Sequence, residues 1–506
     1  MSQETSKRII LIRPANIFGL ENYPPFALIL LASYLERAGY KVEVLVHDRN
    51  TCLERILDRV KDCLLVGLTV TTAEAPDAIA LARSLRTAHG PGLPLVWGGW
   101  HPTLFPEQTA ASDLADFVVA GDGETALLAI ADHLAGKTAT KPGPVVKTPF
   151  VDLDNLPPPR FEVLHDLEDF LTRPLSDKFL EYHRGRFRWL PYQTSRGCPY
   201  SCAFCINPTT GNRKYRARAP LTAAREMADL ARRHRLTHIK IIDDNLFVQR
   251  ERVRAMFEEV EQLGVPFTWD AECRIDYFRE GFVDDNMLAL LKRTGLIQLT
   301  FGIESGSPDT LTRMRKGSRC SPEHAVNAVA MAHKHGIVVR GSFILDIPGD
   351  TPADIMQTVR LIRRLRRFPK FSCGVHTYRP YPKSSLCEEI LRQGRFHQPD
   401  TLEAWEDEAA IRQFTDTAVV RTWQDNYRLS SRVSFFQSLE SGFWLKQHQL
   451  PSRILGIANR IFIALAKIRN RTRIYALPLE KPLYIAFKDW CLRRFRHGRH
   501  ASEDCT

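Results

Sequence analysis

Three cysteines within eight residues carry the strongest chemical signal in the sequence: Cys198-Pro-Tyr-Ser-Cys202-Ala-Phe-Cys205, spaced C-x3-C-x2-C. Thiolates are soft ligands, and three on one short loop can hold three irons of a cubane 4Fe–4S cluster. The fourth iron is then open to a chelating small molecule. A closed zinc site needs four ligands, and the nearest spare donor, His183, lies 15 residues upstream in a charged segment. Gly197, Pro199 and Asn207-Pro208 keep the loop out of helix. Cys273, Cys320, Cys373 and Cys387 have no ligand-like spacing and read as small hydrophobes. The 11 cysteines are odd in number and irregularly scattered, which excludes a secreted disulfide framework and points to a cytoplasmic protein. No Ser-His-Asp series, zinc-hydrolase motif or phosphate-binding loop is visible, so hydrolase and NTPase chemistry lack support.

The elements that must position this loop alternate between strand and helix. RIILIRP (8–14), KVEVLVHD (41–48), CLLVGLTV (63–70), LPLVWGG (93–99) and ADFVVAG (115–121) read as strands separated by amphipathic helices. They predict an α/β domain over 1–137 with a doubly wound parallel sheet, ligands binding at the C-terminal strand ends. Residues 138–190, rich in proline and charge, read as a linker. A second series follows over 191–385, with strands at 191–197, 237–244, 267–273, 297–304, 338–348 and 371–380. Six strands with intervening helices predict a partial βα barrel. The cysteines follow its first strand. From 386 to 506 the pattern turns helical, then basic.

A C-x3-C-x2-C loop after the first strand of such a barrel resembles the radical S-adenosylmethionine (SAM) superfamily. Asp243-Asp-Asn245, Gly302-Ile-Glu304-Ser-Gly306 and Gly341-Ser342-Phe-Ile-Leu-Asp-Ile-Pro348-Gly349 sit where that family places its other motifs. The resemblance implies a 4Fe–4S cluster on Cys198, Cys202 and Cys205. It further implies SAM on the open iron, Phe204 beside the adenine, and Asn245, Glu304 and Ser342 as polar contacts to SAM. His376, Tyr378, Arg379 and Tyr381 end the sixth strand, and alternation directs His376 and Tyr378 to one side as candidate catalytic residues.

The N-terminal domain is similar to the cobalamin-binding domain that precedes the barrel in one large radical SAM subfamily. Gly67-Leu-Thr69-Val-Thr71, Gly98-Gly99-Trp-His101 and Gly121-Asp-Gly123-Glu124 carry that similarity. It implies cobalamin contacts at Thr69, Thr71, Gly98, Gly99, His101, Gly121, Gly123 and Glu124. One departure stands out: many such domains place a cobalt-ligating histidine after the first strand, where this chain reads Pro14-Ala-Asn16-Ile-Phe-Gly19. No histidine of this domain is therefore expected beneath the cobalt, and His101 suits packing or hydrogen bonding better than ligation.

Together these resemblances imply methylation of a carbon centre in a small-molecule or lipid-like substrate. A 5′-deoxyadenosyl radical would abstract hydrogen, and methylcobalamin would supply the methyl group. A flavodoxin or ferredoxin is the implied electron donor. The same cofactor motifs also serve non-methylating oxidation, ring closure or rearrangement, and a SAM- or cobalamin-binding sensor without turnover is a rival from another class.

Charge is unevenly placed. Of the net +12, +11 lies between Lys446 and His500, where 13 Lys and Arg face only Glu480 and Asp489. The near-neutral remainder excludes an enzyme body built to bind nucleic acid. Arg453, Arg460 and Lys467, seven apart among apolar residues, suit a helix lying on an anionic membrane.

Overall fold

The computed structural model describes residues 8–17, 23–47, 53–173, 187–407, 411, 423–441, 453–475 and 480–496. Gly19 and His183 lie outside them. The first apolar run forms β1 (Arg8–Arg13), with four consecutive buried residues, as a central parallel strand covered on both faces requires. It is joined by β2 (Lys41–Val46), β3 (Leu65–Thr69), β4 (Leu95–Gly98), β5 (Phe117–Val119) and β6 (Val145–Val146). All pair in parallel, in the order β2-β1-β3-β4-β5-β6. The last strand comes from the segment read as a linker. That segment also buries Leu153, Leu156, Phe161, Leu164, Phe170 and Leu171 in the core shared with the barrel. It fastens one domain to the other.

The barrel begins at β7 (Trp189–Tyr192). Two short antiparallel strands, β8 (Ser195–Arg196) and β9 (Arg216–Ala217), bracket the cysteine loop. The remaining strands are β10 (His238–Ile241), β11 (Thr268–Arg274), β12 (Leu296–Glu304), β13 (Val338–Leu345) and β14 (Phe371–Thr377). They form a six-stranded parallel sheet in the order β14-β13-β12-β11-β10-β7. β7 and β14 do not pair with each other, so the barrel is open. Burial alternates along β13, where Val339, Phe343 and Leu345 are buried while Arg340, Ser342 and Ile344 are part-exposed. One face therefore packs on helices and the other lines the interior, where Glu272, Thr300, Arg340 and Ser372 stand in register.

A helix at Tyr427–Glu440 runs along the edge strand β14. Its Ser434 and Ser438 hydroxyls donate to the Val375 carbonyl at 2.6 and 3.2 Å, covering an edge otherwise open to pairing. Just past β13, Asp346 adopts φ 63 and accepts hydrogen bonds from the Asn426 amide (3.0 Å) and the Ser430 hydroxyl (2.8 Å). Burial, with Asp350 nearby, pushes its carboxyl up to about 6 against the stabilising pull of Ser430 and Asn426. The folded chain thus holds this proton more tightly than the unfolded chain, so stability falls as pH rises from about 4 to about 6. Asp346→Asn keeps an acceptor oxygen and should flatten that change, by at most about 3 kcal/mol. Denaturant unfolding of wild type and variant across the interval measures it; parallel curves would refute it.

No helix among the described residues is long and apolar enough to cross a membrane.

Candidate functional site

The cysteine loop hangs from β8 and β9, and its entry is sterically fixed. Gly197 adopts φ +82, and a Cβ there would stand 2.0 Å from the Lys214 carbonyl oxygen, so no side chain fits. Consecutive residues after β10 then hold the loop at three levels. Buried Asp243 accepts from the Thr194 amide (2.6 Å), the Thr194 hydroxyl (2.5 Å) and the Ser195 hydroxyl (2.5 Å). Asp244 accepts from the Gly197 amide at 2.8 Å and the Asn207 amide side chain at 3.1 Å. Asn245 Nδ2 donates to Cys198 Sγ at 3.4 Å and to the Tyr277 hydroxyl at 3.0 Å. A motif read in the sequence for Asn245 alone is a complete scaffold for the loop.

Each sulfur receives a donor. Besides Asn245 on Cys198, Arg274 Nη1 lies 3.3 Å from Cys202 Sγ, and the Asn207 backbone N–H 3.4 Å from Cys205 Sγ. None of the three is in a disulfide. Burial pushes the Cys205 thiol up to about 11, with Cys202 and Cys198 adding to the rise, and burial also raises Cys198. Ligation must therefore displace protons. Arg274 also stacks over Tyr200 at 3.7 Å and reaches Cys320 Sγ at 3.3 Å. Lys316 is fully buried; although burial opposes its charge, Glu304 and then Cys202 hold it protonated above the ordinary lysine range. Its ammonium donates to Glu304 Oε1 at 3.0 Å. Two cations therefore stand beside the thiols, suited to the negative charge of a thiolate-ligated cluster. Among the described residues no three His, Cys, Asp or Glu side chains converge on one ion. Three thiols on one loop, each with a hydrogen-bond donor and with two cations beside them, fit the ligand set of a thiolate-bound iron–sulfur cluster.

Arg274, Lys316 and Tyr277 were not legible as site residues, because they sit 70 or more positions from Cys202 and belong to no local motif. Glu304 is buried at φ 66, and Asn245 Oδ1 is buried with no hydrogen-bond partner, leaving an acceptor for a bound group. Phe204 is part-buried, with Lys316 Nζ 5.8 Å from its ring. Ser342 lies on the inward face of β13, in register with Gly302 and Gly374.

Facing the cluster loop, the strand ends of the N-terminal sheet border a cleft of about 320 Å³. Thr69, Gly98, Gly99, Gly121, Gly123 and Glu124 line one side, and Gln193, Arg196, Gly197, Asn207, Arg216 and Asp244 the other. Gly99 adopts φ +94 with a Cβ position 2.8 Å from the Val70 nitrogen, which only glycine permits. Ion pairs tie the walls together: Arg196 to Glu124 (2.6 Å) and Asp122 (3.4 Å), and Arg216 to Asp122 (2.5 Å). Glu124 Oε2 and Arg216 Nε are buried without hydrogen-bond partners, leaving polar atoms for a ligand as polar as cobalamin's nucleotide tail.

Two of the expected contacts lie elsewhere. Thr71 caps a short helical turn at Thr72–Glu74 and is not in the cleft lining. His101 is fully buried against the rings of Phe105 and Trp405, at 5.2 and 5.1 Å, also outside the lining. Burial lowers its pKa to about 3, so it is a neutral packing residue. Among the described residues no histidine lines the cleft. Electron paramagnetic resonance of the cob(II)alamin form should accordingly show no nitrogen superhyperfine splitting. A nitrogen-ligated spectrum would overturn this placement.

His376 and Tyr378 are separated. His376 faces the barrel interior, its Nε2 crossing over Gly374 beside Arg340. β14 ends at Thr377, where alternation stops, and Tyr378 is buried in the apolar cluster that holds Ile347, Leu386 and Cys387. Burial, then Arg379 and Arg340, lowers the His376 pKa to about 4.

The radical SAM superfamily is matched over residues 192–362 and the B12 binding domain over residues 20–131. An uncharacterized methyltransferase of Pyrococcus horikoshii is 26% identical over 73% of this chain and 78% of its own length. An anaerobic magnesium-protoporphyrin IX monomethyl ester cyclase of Rubrivivax gelatinosus is 25% identical over 76% and 70%. A bacteriochlorophyllide d C-12(1)-methyltransferase of Chlorobaculum tepidum is 27% identical over 67% and 69%. Among solved structures, the radical SAM methyltransferase TsrM from Kitasatospora setae, with cobalamin and a 4Fe–4S cluster bound, shares the fold. Its TM-score is 0.60 at 21% identity, covering 77% of this chain and 75% of its own. With a B12-binding sheet and a cysteine-bearing barrel in one chain, the protein belongs to the cobalamin-dependent radical SAM enzymes, whose cofactors are a 4Fe–4S cluster, SAM and cobalamin.

Proposed function

We propose that the enzyme transfers a methyl group to a carbon atom of a small-molecule or lipid-like substrate held in the open barrel. The observation that carries this reading is the single cleft bordered both by the strand ends of the B12-binding sheet and by the cysteine-bearing hairpin. When bound, the cluster and SAM supply a carbon-centred radical and cobalamin a transferable methyl group. The chain holds, orients and shields. Cys198, Cys202 and Cys205 are the ligands. Asn245, Glu304 and Ser342 would bind SAM, with Lys316 holding the Glu304 carboxylate through Oε1. Arg340 and His376 orient the substrate; with a pKa of about 4, His376 is neutral at physiological pH and serves as a hydrogen-bonding group. Hydrogen abstraction by a radical needs no protein base. A flavodoxin or ferredoxin would deliver the electron.

The named relatives support methyl transfer, including at a carbon position of a tetrapyrrole. The cyclase relative favours a second reading, in which the same cofactors serve ring closure. Growing wild-type and deletion strains on methyl-deuterated methionine separates them. A product that carries the intact labelled methyl group and vanishes in the deletion strain supports methylation. A gene-dependent product of unchanged carbon count refutes it.

A further inference from the structure

The helix Arg453–Thr472 packs Asn459, Phe462, Ile463, Ala466 and Asn470 inward and turns Ile457, Ile461 and Ile468 outward. Asn459 and Asn470 are buried, and both are hydrogen-bonded. The Tyr484 hydroxyl donates to Asn459 Oδ1 at 3.3 Å, Asn470 Nδ2 donates to the Phe436 carbonyl at 3.0 Å, and the Tyr475 hydroxyl donates to Asn470 Oδ1 at 3.0 Å. Ala466 completes the packed stripe. On the opposite face Ile457, Ile461 and Ile468 are 50, 56 and 58% exposed. At 3.6 residues per turn they form one narrow ridge with Ala464. Arg460, Lys467 and Arg471, all exposed, run along one flank of that ridge. The helix Glu480–Arg496 packs against this one through Phe462, Tyr484 and Phe487, and presents Leu483 and Trp490, 64 and 48% exposed, seven residues apart.

Packing through the Ile457, Ile461 and Ile468 ridge would leave Asn459 and Asn470 to solvent. Here the satisfied asparagines lock the reverse orientation. We infer that this C-terminal helix pair docks the enzyme onto a lipid bilayer carrying anionic headgroups, through the Ile457, Ile461 and Ile468 ridge and the Arg460, Lys467 and Arg471 flank. Charge complementarity selects this occupant: apolar side chains enter the headgroup boundary while cations on the flank reach the acidic lipids. The excess of 13 Lys and Arg over two acids in residues 446–500 adds long-range attraction. The inference is independent of which reaction the barrel performs.

The test is co-sedimentation of the full chain, at low salt, with vesicles of phosphatidylcholine alone or mixed with phosphatidylglycerol. Binding is expected to the mixed vesicles only and to fall on raising salt. Each cation near the surface contributes about fivefold in affinity. Arg460→Gln, Lys467→Gln and Arg471→Gln together should therefore weaken binding about a hundredfold. Ile457→Ser, Ile461→Ser and Ile468→Ser together should weaken it at least tenfold with secondary structure and thermal unfolding unchanged, because all three side chains are exposed. Three outcomes overturn the inference: no binding of the wild-type chain to mixed vesicles, binding unaltered in both variants, or concentration-dependent self-association abolished by the isoleucine variant. The last would mean that a second copy of the chain covers the ridge.

Discussion

Replacing Cys198, Cys202 and Cys205 together by alanine is expected to remove nearly all iron and sulfide from anaerobically purified protein while cobalamin stays bound. The reasons are geometric. The three sulfurs lie on one loop, each with its own hydrogen-bond donor, and no fourth cysteine or histidine completes a set around one ion among the described residues. None of the three cysteines lines the cobalamin cleft, which should survive the change. SAM cleavage should fall to background, because no other group in the site can pass an electron to SAM. Alanine at Cys320 or Cys387 should leave iron content unchanged. Cys320 is the stricter control, since it shares Arg274 with Cys202 yet supplies no ligand. Iron and sulfide assays on the variants decide the matter; iron kept by the triple variant would refute the assignment.

The second large effect concerns the joint between the domains. Arg196 is two residues before Cys198, and its guanidinium meets Glu124, which is 2% exposed at the start of a helix in the B12-binding domain. Arg196→Met removes one partner and leaves a buried carboxylate uncompensated, at a cost of about 3–5 kcal/mol. Asp122 keeps Arg216 and should contribute little to the loss. Adding Glu124→Gln removes the stranded charge, so the double variant should recover more than half of the loss. Thermal unfolding of the two single variants and the double tests this. A double variant whose losses simply add would show that the two residues act apart. The single Arg196 variant should also release cobalamin more readily, since the wall it holds is the rim of the cleft.

How much of this was legible before the structure depended on how local each feature is in the chain. The alternating strands and the six-stranded barrel are carried by periodicity, and the structure reproduces them; the cysteine motif is equally local, being carried by its own short spacing. Val145–Val146 is too short to show a period, so the sixth strand of the first sheet was hidden in an apparent linker. Tyr378 was misplaced because alternation was extended one residue past the end of β14. His101 carried a motif-like position, but its burial is decided by Trp405, 304 residues later. The cations beside the cluster were invisible for the same reason: Arg274 and Lys316 reach Cys202 and Glu304 only once strands β11 and β12 lie side by side. In the C-terminal helix the order of apolar and basic residues was readable. Which face would turn outward was set by Asn459 and Asn470, whose partners come from other helices.

In the proposed reaction, one cleft brings a methyl-carrying cobalamin up to a SAM-binding barrel. This can be tested before any substrate is identified, by incubating the reduced holoenzyme with methyl-deuterated SAM and analysing the cobalamin by mass spectrometry. Labelled methylcobalamin should form together with S-adenosylhomocysteine, at rates that fall in the Arg196→Met variant. Formation of 5′-deoxyadenosine alone, with the cobalamin unlabelled, would contradict it.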